Sequence, residues 1–242
     1  MARRADIVLV ERGVFDSRAR ARAAIEAGLV LANGATVTKP SQAIDPDATI
    51  EASAPHPWVS RAGVKLDAGL DLFGVDARGK TCLDLGSSTG GFTQVLLARG
   101  AAKVYAVDVG REQLHASLRG DPRVISMEAT DARELRADMF ETPSQVIVCD
   151  ASFISLKLVL PTPLALAAPG ATLIALIKPQ FEAGRERVGK GVVRDPAIHA
   201  DVCGDIRAFI AALGWRVLGL EPSPIAGGDG NREFLIAATA PE

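Results

Sequence analysis

The chain has 242 residues, a formal net charge of −2 and 48% apolar residues. That length holds one large domain and a small one, with a substantial core, and the near-balanced charge excludes a global basic field, so a nucleic-acid contact has to come from a local basic face. Cys82, Cys149 and Cys203 have neither metal-site spacing nor an even-numbered framework, which points to reduced core thiols and a cytoplasmic protein, and the three scattered histidines promise no metal site. The opening Met1-Ala-Arg-Arg-Ala-Asp6 lacks an apolar signal core, and the apolar run at 156–166 is too short and too broken by prolines to span a bilayer.

Residues 5–11 read as a short helix ending near Gly13. Asp16 or Ser17 caps a second helix through Ala27, stopped by Gly28. Residues 29–32 and 35–38, joined by Asn33-Gly34, read as a β-hairpin with a tight turn. Arg18 and Arg22 share one helix face, with Arg20 elsewhere on the helix. Guanidinium forks suit phosphate, although charge alone favours an ordinary solvated face. The spacing Ser17-Arg18-x-x-Ala21-x-x-x-Ile25-x-x-Gly28-x-Val30-x-x-Asn33-Gly34 resembles the small RNA-binding domain of ribosomal protein S-four. The resemblance implies an RNA-binding α+β domain over residues 1–54, with Arg4, Arg18, Arg20 and Arg22 among its contacts. Pro55 and Pro57 make residues 55–59 an extended linker, and residues 60–242 form the second domain.

Ser60 is the expected cap of a helix through Leu72 that carries Lys65. The segment from Thr81 to Arg99 then runs from a short apolar strand, through a glycine-rich turn, into an amphipathic helix. Such a unit at the start of an alternating β/α pattern is a nucleotide-type cofactor site at the carboxyl edge of a parallel sheet. Gly86, Gly90 and Gly91 fail the dinucleotide spacing, and no phosphate loop is present. Asp84, just before the turn, suits a cationic ligand. The turn resembles motif I of the S-adenosylmethionine-dependent methyltransferases, whose cofactor carries a sulfonium and no phosphate. The next strand, 104–107, ends in Asp108, placed to accept from both ribose hydroxyls, and Asp131, after a strand at 124–127, is placed to face the adenine amine. A helix is expected at 111–118. Strands at 146–150, 171–178, 215–220 and 233–239 and helices at 155–168 and 196–213 complete the pattern. It is an α/β chain with a doubly wound, mostly parallel, Rossmann-like sheet, closed by a hairpin of its last two strands.

Asp150, Lys178 and Glu233 stand at strand ends, and Lys65 joins them from the preceding helix. Singly, each reads as a charge meeting water. Together, and in this chain order, they resemble the Lys-Asp-Lys-Glu tetrad of FtsJ-like RNA 2′-O-methyltransferases. The blocks Val59-Ser-Arg-Ala-Gly-Val-Lys-Leu, Asp84-Leu-Gly-Ser-Ser-Thr-Gly-Gly-Phe-Thr, Asp150-Ala-Ser-Phe-Ile-Ser-Leu, Ile177-Lys-Pro-Gln-Phe-Glu and Gly230-Asn-Arg-Glu-Phe-Leu extend the likeness over nearly the whole chain, which resembles the TlyA family. His56 departs from an arginine frequent in that family, and Asp131 from an asparagine.

The resemblance implies S-adenosylmethionine-dependent 2′-O-methylation of cytidine in ribosomal RNA, free or in a subunit. Its catalytic residues are then Lys65, Asp150, Lys178 and Glu233, with Lys178 serving the 2′-oxygen as base or point charge. Its cofactor-binding residues are Asp84, Gly86, Ser87, Gly90, Gly91, Phe92, Asp108, Asp131 and Asp150. Arg61 and the loop residues Arg185, Arg187, Lys190 and Arg194 add candidate RNA contacts. Two rival readings are a non-catalytic RNA-binding assembly factor and a membrane-active haemolysin. The intact tetrad argues against the first, and the lack of a cationic amphipathic helix against the second.

Overall fold

The computed structural model describes residues 2–189, 191–227 and 230–242, the side chain of Arg185 apart, so the candidate Lys190 lies outside the described residues. The chain divides into two compact units, residues 1–59 and 60–242.

The first unit contains β1 (Arg3–Arg4), α1 (Ala5–Glu11), α2 (Arg18–Glu26), β2 (Val30–Ala32), β3 (Ala35–Thr36), β4 (Ala43–Ile44) and β5 (Ile50–Ala52). Ser17 caps α2 by accepting the Arg20 N–H at 3.3 Å. Asn33 (φ 50°) and Gly34 (φ 76°) both take the left-handed backbone that a two-residue hairpin turn requires, so Leu31 faces Thr36 and Ala32 faces Ala35. Val8, Leu9, Ala21, Ile25 and Val30 make the small core.

At the edge of that core lies a fully buried carboxylate, Asp6. The Arg4 guanidinium meets it with two bonds of 3.0 Å, and Arg18 Nη2 adds one of 2.8 Å. These donors, Arg4 first, outweigh desolvation and hold the Asp6 carboxyl down at about 2.

The second unit contains α3 (Ala62–Phe73), β6 (Thr81–Leu85), α4 (Gly91–Ala98), β7 (Lys103–Val107), α5 (Ala116–Arg119), β8 (Val124–Met127), β9 (Val146–Cys149), α6 (Leu156–Val159), α7 (Pro161–Ala165), β10 (Thr172–Ile177), α8 (Pro179–Glu182), α9 (Pro196–Ala212), β11 (Arg216–Pro222) and β12 (Phe234–Thr239). The seven strands lie in the order β11-β12-β10-β9-β6-β7-β8. From β10 to β8 all pairings are parallel, and β12 runs antiparallel between β10 and β11. The strands are apolar on both sides because helices cover both faces. On one face Leu83, Leu85, Ile147 and Leu173 pack with Val202, Ile206 and Ile210 of α9. On the other, α3 comes so close that Gly69 has room for only a Cβ, 3.5 Å from Ile174 and Leu235.

Two expected elements differ. The helix anticipated at 111–118 is reduced to α5, because the Glu128 carboxylate accepts the backbone N–H groups of Glu112, Gln113 and Leu114 at 2.7–3.0 Å. A chain wrapped around that side chain has no free donors with which to start a helix. Helix α3 begins at Ala62, and Ser60 contributes its carbonyl to the Gly63 N–H at 3.1 Å, not a hydroxyl cap.

The Asp6 carboxyl is depressed in the folded chain, so its contribution to stability is complete above the ordinary aspartate range and is lost as pH falls toward 2. Amide exchange in α1 of the full chain should therefore accelerate, relative to Asp6→Asn, as pH falls from about 4 to 2. Identical pH dependence in the two proteins would refute the assignment.

Candidate active site

The carboxyl ends of the parallel strands converge on one edge, and the site is built there. After β6, Gly86 adopts φ 76°, and an added Cβ would stand 3.0 Å from the Ala151 Cα and 3.1 Å from its amide nitrogen. Only glycine lets the turn lie this close to the backbone after β9. The amides of Gly86 and Ser87 both donate to the Val107 carbonyl, at 2.9 and 3.1 Å, folding the turn over the end of β7. There Asp108 accepts the Ser88 N–H at 2.8 Å and the Gly110 N–H at 2.7 Å, one on each carboxylate oxygen.

Beside this turn opens a cleft of about 460 Å³ whose walls include Gly86, Ser88, Asp108, Val109, Gln113, Asp131, Arg133, Asp150 and the segment Ala151–Ile154. It brings together four of the nine cofactor candidates: Gly86, Asp108, Asp131 and Asp150. The other five lie outside its walls. The Ser87 carbonyl closes the turn on the Gly90 N–H at 2.7 Å. Gly90 passes under Leu114 and Leu118, and Gly91 passes against Ser60. Phe92 belongs to the core. Asp84 is fully buried, with one oxygen accepting the Thr93 hydroxyl at 2.6 Å and the other without a hydrogen-bond partner. Burial raises its carboxyl to about 7, so it supports the turn from beneath. Asp131 caps the short helical turn 132–134 and pairs with Arg133 Nη2 at 2.6 Å, a side-chain bond that lowers its carboxyl below the ordinary range.

Among the cleft residues that sequence reasoning did not assign are Ser88, Gln113, Arg133, Ser152 and Phe153. Arg133 was the accessible one, two residues from Asp131. Phe153 gave no signal in the apolar pattern, yet it is 90% exposed and holds the left-handed φ of 65° that aromatic residues seldom take.

The four charged candidates form two ion pairs. Lys65 Nζ lies 2.5 Å from Glu233 Oε2, with both side chains under a tenth exposed. Lys178 Nζ lies 2.6 Å from Asp150 Oδ1, 2.8 Å from the Ser152 hydroxyl and 3.2 Å from the Asp150 carbonyl. The hydrogen bonds of Lys178 run to the Ser152 hydroxyl and the Asp150 carbonyl, while the Asp150 Oδ1 contact is an ion pair in which that buried oxygen has no hydrogen-bond partner among the described residues. The second oxygen of Glu233 occupies the space that a Cβ on Gly227 would need.

The arginine candidates are mostly engaged within their own unit. Arg4 and Arg18 hold Asp6, Arg20 meets Asp16 at 3.2 Å, and Arg22 meets Glu26 at 3.7 Å. Arg61 donates to the Ala226 carbonyl at 2.7 Å, Arg187 pairs with Asp201 at 2.5 Å, and Arg194 is exposed. Burial pushes the Cys82 and Cys149 thiols up to about 12, which leaves neither as a nucleophilic thiolate. No helix among the described residues is long and apolar enough to cross a membrane.

A parallel sheet closed by an antiparallel hairpin, with an acid-lined cleft beside its first glycine turn, defines a Rossmann-like methyltransferase domain. The same fold occurs, at 15% identity and a TM-score of 0.51, over 74% of this chain and 82% of the Synechocystis magnesium protoporphyrin IX methyltransferase solved with S-adenosylhomocysteine. The chain belongs to the FtsJ-like methyltransferase family, whose description matches residues 58–240, and an S4 domain matches residues 3–50. It is 43% identical to the Mycobacterium tuberculosis 16S/23S rRNA (cytidine-2′-O)-methyltransferase TlyA over 98% of this chain and 90% of that protein. It is 41% identical to Hemolysin A of Brachyspira hyodysenteriae over 96% of this chain and 98% of that protein. A solved hemolysin-named protein of Streptococcus thermophilus superposes with a TM-score of 0.80 at 41% identity, covering 100% of this chain and 89% of that one.

Gly227→Ala should displace Glu233 from Lys65 and cut methyl transfer by an order of magnitude or more with little loss of cofactor affinity; wild-type turnover would show that the Gly227 contact has no such role. Asp84 carries a raised carboxyl, so the folded chain keeps a proton that the unfolded chain has lost between about 4 and 7, and stability falls as pH rises through that window. Asp84→Asn keeps the Thr93 bond and lacks the titration. Its melting temperature should exceed that of the wild type by a margin that widens from pH 5 to 7, and parallel curves would contradict the burial argument.

Proposed function

We propose that this protein methylates the 2′-oxygen of a cytidine in ribosomal RNA, with S-adenosylmethionine as donor. The observation that carries the reading is the buried Lys178 ammonium, held by Asp150 and Ser152, two wall residues of an acid-lined cleft. The cleft suits the cofactor chemically. Asp108 has used one lone pair of each oxygen on a backbone amide, which fixes its plane and leaves acceptors for two ribose hydroxyls. Val109, Ile154 and Val159 supply apolar wall for a purine, and three carboxylates line the cleft, Asp131 paired with Arg133, Asp150 with Lys178 and Asp108 with backbone amides. Bound there, S-adenosylmethionine supplies an electrophilic methyl group on a sulfonium.

The remaining work falls to the chain. A ribose hydroxyl is a poor nucleophile, and negative charge appears on its oxygen as its proton passes to solvent, to be consumed as the O–C bond forms and the S–C bond of the donor breaks. A preorganised donor aimed at that oxygen lowers the barrier. Lys178 takes this part as a fixed positive charge, exchanging its Ser152 contact for the ribose oxygen while Asp150 keeps hold of the ammonium. Lys65, held by Glu233, places a second positive charge at the same sheet edge. The S4 domain captures structured RNA, and the choice of cytidine and of ribosomal RNA in the cytoplasm rests on the relatives' activities.

Two measurements test the reading. Lys178→Ala should lose about 10²–10³-fold in transfer rate, with S-adenosylmethionine affinity by calorimetry nearly unchanged. Mass mapping of ribosomal RNA should find a 2′-O-methylcytidine that disappears when the gene is deleted. Transfer at close to the wild-type rate, or an unaltered modification map, would defeat it.

A further inference from the structure

A second hollow, of about 440 Å³, opens at the catalytic edge of the sheet, between the start of α9 and the loop before Glu233. Its walls include Val193, Arg194, His199, Gly230 and Arg232. Phe234 pairs with Ile177, so the hollow sits at the end of the sheet from which Lys178 projects. Strand alternation sends Glu233 toward α3, and sends Arg232 and Phe234 to the opposite face, under α9.

The hollow is built by buried polar groups. Asn231, 3% exposed, accepts the Val193 N–H at 3.2 Å and donates to the Gly191 carbonyl at 3.0 Å. His199, 7% exposed, bonds the Val193 carbonyl at 3.0 Å through Nε2 and sets its ring edge against Phe234. Both polar backbone groups of Val193 are thereby satisfied, and the leg 191–193 is fixed to the leg 230–232. The Arg232 guanidinium lies over the Phe234 ring, 5.4 Å from its centre.

Among the described residues, no carboxylate pairs with the two arginines there. Elsewhere in this unit Arg99, Arg123, Arg133, Arg136 and Arg187 each bond a carboxylate. Arg194 and Arg232 are exposed, and neither has a carboxylate partner among the described residues. Asp195, next in sequence, spends an oxygen on the Ala197 N–H at 2.8 Å. Two unpaired guanidinium forks over a preformed hollow at the catalytic edge match a phosphodiester.

We propose that this hollow binds one backbone phosphate of the substrate strand next to the target ribose, gripped by Arg194 and Arg232. The assignment rests on the RNA reading above and adds Arg232, which was not among the candidate RNA contacts. A held phosphate on one face of β12 fixes the register of the strand whose ribose meets Lys178 near the other.

The test is filter binding of the full chain to a ribosomal RNA fragment between 50 and 300 mM salt, for wild type, Arg194→Gln, Arg232→Gln, the double variant and Arg232→Lys. The double substitution should flatten the log–log salt slope by about 0.7–0.9, each single one by less, and all should raise KM for RNA with kcat and S-adenosylmethionine affinity nearly unchanged. Arg232→Lys should keep the slope, and circular dichroism checks that each variant is folded. A folded double variant with the wild-type slope and KM would overturn the proposal. A wild type that binds RNA with the expected slope but transfers no methyl group would leave the hollow standing and remove the catalytic reading. A wild type that binds no RNA would remove both.

Discussion

The site depends on the anchoring of one ammonium. Lys178 meets three oxygens, all from residues 150–152: a carboxylate, a carbonyl and a hydroxyl. That segment is fixed in turn. The Asp150 N–H donates to the Leu85 carbonyl at 3.0 Å, and Gly86 lies against the Asp150–Ala151 backbone. The same residues floor the cofactor cleft and hold the lysine. The distance between donor site and nucleophile site is thus set by a backbone contact, not by flexible side chains, and glycine at 86 is its condition.

The tetrad is neutral as a whole and works as two separate dipoles. Burying four charges at this edge costs desolvation that ion pairing alone scarcely offsets. Removing one member is worse, because it leaves its partner charged in a dry site. That penalty explains why Glu233 is fenced by Gly227 and tied to Lys65 while facing no nucleophile directly. It also gives Ser152 its place. A neutral hydroxyl is the acceptor of the Lys178 set that can be surrendered to a ribose oxygen without stranding a charge.

Much of the fold was legible because doubly covered strands read as unbroken apolar runs, as in 146–149 and 173–177, and because Gly28, Asn33-Gly34 and Gly86 mark turns that other residues resist. The tetrad was legible as strand-end charges in a given order, although which lysine pairs with which acid was not. The loop at 111–115 was hidden because a side chain thirteen to seventeen residues downstream, Glu128, claims its amides. The burial of Asp84 was legible from one step of parity. Leu83 and Leu85 face the α9 side, so Asp84 has to face α4, below the turn. Ser152 and Phe153 follow Asp150 in irregular chain, where neither a helical nor a strand period speaks.

Charge pairing in the S4 unit has a sharper consequence than neutralisation. Exposed pairs such as Arg22 with Glu26, at 3.7 Å, hold weakly and yield their arginines to phosphate readily. Asp6 is different: it is wholly buried, while the arginines on it are about half exposed, at 46% and 59%. Arg4 and Arg18 use only Nε and Nη2 there, so each guanidinium keeps donors for a second acceptor. A buried acid that clamps two guanidinium planes at one end of α1 does not compete for RNA from the surface. It removes rotamer freedom from two half-exposed arginines, so that an acceptor meeting their remaining donors would find them already ordered.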